Sequence, residues 1–71
     1  MPIDERVLAE WLRVVRAEYL EVPGMHLTKA EMQRLWGLDA HTCDALVGTL
    51  VESRFLRLTR RDRYARFDAG A

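Results

Sequence analysis

Apolar positions in the first third of the chain recur every three or four residues. Leu8, Trp11, Leu12, Val15 and Tyr19 share one face of a helix that the spacing predicts over residues 4–21. Val7 and Val14, seven residues apart beside Trp11, widen the apolar arc beyond what one small core needs. Two readings of the excess stay open: a seam between two copies of the chain, or a helix wrapped by its own domain. Pro23-Gly24 ends the helix, because proline cannot continue it and glycine accepts the turn.

The next start signal is unusually complete. Thr28 can cap a helix, Glu31 three residues on can reach back to it, and Leu27 can staple to Met32, so a second helix is expected over 28–36. Gly37 stands where a left-handed terminating residue is wanted, and Leu38 can then fold back on the core. Asp39 caps a third helix over 39–53, whose inward stripe is Cys43, Leu46, Val47, Leu50 and Val51. Phe55, Leu56 and Leu58 form a short apolar run, an arginine-rich turn follows, and Tyr64 to Phe67 alternates aromatic with small or charged residues. That pattern predicts a two-stranded hairpin over 55–67, and Asp68 to Ala71 reads as a fraying tail. Leu12, Leu35, Leu46, Leu50 and Phe55 are expected to meet in one core.

Seventy-one residues leave room for one small domain, spanning 1–71, and argue against an enzyme with a deep pocket. With 49% hydrophobic and 31% charged residues the chain has a globular balance rather than a disordered one. The single cysteine excludes an internal disulfide and any site needing two thiolates, which suits a cytoplasmic protein. Cys43 lies on the inward stripe and reads as a small buried hydrophobe. No signal peptide and no apolar run of membrane-spanning length is visible. His26 and His41 have no partner at ligand spacing, so no metal or other cofactor is expected, and no nucleophile or phosphate-binding glycine motif suggests catalysis.

The net charge of zero conceals an asymmetry. Residues 1–53 carry five basic side chains against nine acidic ones (5 − 9 = −4), and residues 54–71 carry six arginines against Asp62 and Asp68 (6 − 2 = +4). The basic character is gathered at one end.

Helix, capped short helix, glycine turn, longer helix and basic hairpin is the order of a winged helix-turn-helix, so the expected fold class is mainly α with a small β hairpin. The stretch from Leu27 to Arg66 resembles the N-terminal winged-helix domain of IclR-type bacterial transcriptional regulators. The resemblance rests on Leu27-Thr28, Leu35, Gly37-Leu38, Thr42, Leu46-Val47, Thr49-Leu50-Val51, Phe55-Leu56 and Tyr64. It implies a bacterial, cytoplasmic DNA-binding protein acting in transcription regulation. The chain departs from the family at the start of the third helix, where Ala40, His41, Asp44 and Ala45 stand in place of basic residues.

Two surfaces are therefore expected to touch double-stranded DNA. His41, Thr42, Asp44, Ala45 and Thr49 on the third helix would face base edges, and Arg57, Arg60, Arg61, Arg63 and Arg66 on the wing would meet phosphates. A homodimer is expected through the Val7 and Val14 strip. The alternative is a winged helix that docks a protein partner through its acidic or apolar helix faces without binding DNA. The arginines would then be a solvated edge that guards the strands against self-pairing, or partners for the acidic first half of the chain.

Overall fold

The computed structural model describes residues 4–67; the tail at 68–71 lies outside them. Three helices, α1 (Glu5–Glu21), α2 (Lys29–Trp36) and α3 (Ala40–Glu52), pack with three short strands, β1 (His26–Leu27), β2 (Leu56–Leu58) and β3 (Tyr64–Arg66). The chain is mainly helical with a small antiparallel sheet.

Each helix begins on a side chain that satisfies its orphan amides. Asp4 accepts from the Arg6 N–H at 2.8 Å, and Asp39 accepts from the Thr42 N–H at 3.1 Å. At α2 the reciprocal box is complete: Thr28 Oγ1 accepts from the Glu31 N–H at 3.1 Å, and Glu31 Oε1 accepts from the Thr28 N–H at 2.8 Å. The ends are equally well defined. Gly37, at φ 65°, takes the left-handed turn that stops α2, and both its N–H and that of Leu38 donate to the Gln33 carbonyl. Arg54 fills the same role after α3 at φ 62°, and Phe55 N–H donates to the Leu50 carbonyl at 2.9 Å.

The expected two-stranded hairpin is part of a three-stranded sheet in the order β1-β3-β2. Beyond the hairpin pairs of β2 and β3, His26 lies opposite Ala65 and Leu27 opposite Tyr64. His26, between the first two helices, is thus a strand residue rather than part of a loop. Two residues are too few to show a periodic pattern, and β1 exists only because β3 offers it a ladder.

The core gathers Val15 and Tyr19 from α1, Met32 from α2, Cys43, Val47 and Leu50 from α3, and Leu56 from β2, with Leu12, Trp36, Leu38 and Phe55 packed around it. Leu46 is buried as well. Trp11 is half-buried. Leu35, expected in the core, is instead 59% exposed. Met32 and Trp36, four residues apart, occupy the inward face of α2, and Leu35 is turned roughly 100° from Trp36. Val51, expected on the inward stripe of α3, is likewise turned outward from Leu50 at the last turn of the helix. Tyr19 does more than fill space: its hydroxyl donates to the Tyr64 carbonyl at 2.7 Å and its ring meets Phe55 edge-on. Burial pushes the phenol well above its ordinary range, so it stays a donor and fastens α1 to the sheet.

Two caps make stability depend on acid. Hydrogen bonding from the Thr28 backbone, with the Arg63 charge alongside, lowers the Glu31 pKa, and hydrogen bonding from Thr42 lowers that of Asp39. A carboxylate whose folded pKa is depressed stabilises the fold above its unfolded value, about 4 for these groups, and loses that contribution as pH falls through the folded value. The thermal midpoint followed by circular dichroism is expected to be level between about pH 5 and 7 and to fall below about pH 4. Glu31→Gln with Asp39→Asn should lower the neutral midpoint and flatten that acid slope. An unchanged slope would assign the acid sensitivity to other carboxylates.

Candidate nucleic-acid interface

The outward side of α3 carries His41, Asp44, Gly48 and Glu52 in solvent, with Thr42, Ala45 and Thr49 half-buried along its margins. The inward stripe positions this face by packing α3 against α1, α2 and β2. Asp44 is not a bare repulsive charge, since Lys29 Nζ approaches its carboxylate to 3.0 Å. That hydrogen bond raises the Lys29 pKa and keeps the amine charged. Both side chains are substantially exposed, so the pair adds little to stability and offsets the Asp44 charge alone, beside the Asp39 carboxylate that caps α3.

The turn between β2 and β3 is built by Thr59. Its N–H donates to the Arg63 carbonyl at 2.7 Å, its carbonyl accepts from the Asp62 N–H at 3.1 Å, and its hydroxyl accepts from the Arg61 and Arg63 amides. Asp62 closes the turn in the left-handed region at φ 58°. Arg60 and Arg61 are the central residues of this braced turn, and both stand in solvent.

The five arginines of the β2–β3 hairpin do not form one group. Arg63 is drawn back onto the body, with NH1 donating to Glu31 Oε1 at 2.8 Å and to the His26 carbonyl at 3.5 Å. Arg57 lies opposite Ala65 and Arg66 opposite Leu56. Leu56 is fully buried, so the strand alternation turns Arg66 toward the core side of the sheet and Arg57 toward the outer side. Only Arg60 and Arg61 occupy the tip.

The first turn of α2 links the two surfaces: pairing of the hairpin arginines with the acidic first half of the chain was one expectation, but the sequence pattern did not name Glu31 or Arg63. Lys29 reaches Asp44 on α3, and Glu31, two residues later, reaches Arg63 at the base of the β2–β3 hairpin. Their alternation of charge at the start of a capped helix was the available signal, but it named no partners.

Cys43 is buried, its thiol lies 3.7 Å from the Lys29 carbonyl, and burial raises its pKa, which disfavours the reactive thiolate. Among the described residues there is no group of three or more histidine, cysteine or acidic side chains suited to a metal, and no helix is long and apolar enough to cross a membrane. Comparison of the chain with protein families, curated proteins and solved structures finds no significant match.

Proposed function

We propose that the protein is a winged-helix DNA-binding protein with a transcription-regulator-like role, and that it binds rather than catalyses. In this reading α3 enters the major groove and the β2–β3 turn rests on the phosphate backbone. The observation that carries it is the junction at α2, where Lys29 and Glu31 tie the exposed face of α3 and the base of the arginine wing to one helical turn. The reading requires a duplex lying along α3 to reach Arg60 and Arg61 at the tip of the β2–β3 turn as well. Gly48 adds support. A glycine inside a helix costs roughly 1 kcal/mol relative to alanine, and a Cβ here would meet nothing within 4 Å, so the fold itself has no use for it. A duplex lying on this face would have room to approach the backbone there.

The test is an anisotropy titration of mixed-sequence duplex at two salt concentrations. Phosphate contacts make affinity fall steeply as salt rises, and binding of this kind is the expected result. No binding even in low salt would replace this reading with the protein-docking module.

We further propose a homodimer through α1. Val7 and Val14 are 47% and 39% exposed on the described surface, and pairing them would give a small domain additional core. Sedimentation is expected to show a dimer that Val7→Asp with Val14→Asp converts to a folded monomer; a wild-type monomer at high concentration would exclude it.

A further inference from the structure

The outer face of the sheet, turned away from the core, carries a row of three side chains across the strands: His26 on β1, Ala65 on β3 and Arg57 on β2. Ala65 is the smallest of the three and stands in the middle, so the row has a depression at its centre. The Pro23–Met25 connection borders one side and the Thr59–Arg61 turn the other, leaving an open cleft of about 480 Å³. That volume falls in the range of small-molecule sites, which run from roughly 300 to 1,000 Å³.

Its chemistry is one-sided. Arg57, Arg60, Arg61 and Arg63 all line the cleft, and no carboxylate is among the lining residues. Arg63 is also paired with Glu31 at 2.8 Å. Pro23, Met25 and Ala65 add apolar lining. Guanidinium groups match phosphate oxygens with paired N–H donors, and their flat stems and faces accept an apolar or aromatic body beside them.

We propose that this cleft binds an organic phosphate, a phosphate monoester whose apolar body lies over Ala65 while its phosphate is held among the arginines. The site does not depend on the DNA-binding reading. One consequence does rest on that reading: Arg60 and Arg61 serve both ligands, so an occupied cleft competes with duplex and makes the wing responsive to a small molecule.

Phenyl phosphate is the probe, titrated into the whole protein by calorimetry, with inorganic phosphate and phenol as the two halves of its chemistry. Phenyl phosphate is expected to saturate one site and to bind at least tenfold more tightly than either half. Ala65→Leu fills the depression without altering charge and should weaken phenyl phosphate tenfold or more while the circular dichroism melt remains cooperative. Arg60→Ala with Arg61→Ala, on the exposed turn, should weaken it similarly and provides a second measure should the leucine disturb the sheet. Equal binding of phenyl phosphate and inorganic phosphate would overturn the proposal, as would undiminished binding by a folded Ala65→Leu protein. Repeating the duplex titration with saturating phenyl phosphate separates the two readings. Reduced duplex affinity supports competition, and unchanged affinity overturns it. Phenyl phosphate binding by a protein that ignores duplex leaves the cleft in place and removes the DNA reading alone.

Discussion

Leu50→Ala is expected to remove a large part of the stability of the fold. Leu50 has no exposed surface and belongs to the central cluster shared by all three helices and β2. Removing a fully buried leucine side chain loses its transfer free energy and leaves a cavity, together about 2–5 kcal/mol. A chain of this length has a total stability of only about 4–10 kcal/mol. The loss is therefore a large fraction of the whole, and each kcal/mol moves the midpoint of so small a domain by roughly 4–8 °C. A thermal melt by circular dichroism is expected to shift down by at least about 10 °C or to lose its transition. The same truncation at Leu35, which stands in solvent, should shift the midpoint little. If Leu50→Ala melted like the parent while Leu35→Ala did not, the assignment of the core would be wrong.

The second large effect separates arginines that grip a ligand from one that braces the fold. Arg60 and Arg61 stand at the tip of the turn, and if each meets one phosphate, replacing both with alanine should lower the magnitude of the salt slope of duplex binding by about 1.8 units, at roughly 0.9 per contact. Average affinity should fall with it, across all sequences alike, because phosphate contacts carry no base information. Arg63→Ala should behave differently. Its guanidinium holds Glu31 and the His26 carbonyl, so its loss should loosen the wing and lower the melting midpoint while changing the salt slope less than the tip pair does. His41→Ala and Thr49→Ala on α3 are expected to alter preference between sequences more than mean affinity. A salt slope indifferent to the tip pair would show that the turn does not hold the backbone.

Local chemistry was legible without the fold. Thr28, Glu31 and Gly37 bracket α2 by hydrogen bonds within a few residues, so their types and spacing alone specify where that helix starts and stops. The long stripes of α1 and α3 were equally readable, because an apolar period near 3.6 sustained over several turns matches a helix and no strand. The charge asymmetry and the concentration of arginines near the last turn were also plain in the chain. Everything that required two distant segments to meet was not. The strand His26–Leu27 is defined by its partner β3, and the exposure of Leu35 and Val51 depends on which helix face the neighbours leave uncovered. The arginine group divides for the same reason: register sends Arg57 and Arg66 to opposite faces of the sheet, and Glu31, far earlier in the chain, captures Arg63. Short-range hydrogen bonding and periodicity are written in consecutive residues, so the sequence by itself determined the helices and their caps. Pairing register, burial and ion-pair partners depend on long-range packing, and only the tertiary structure decided which arginines stand at the tip and which are tied down.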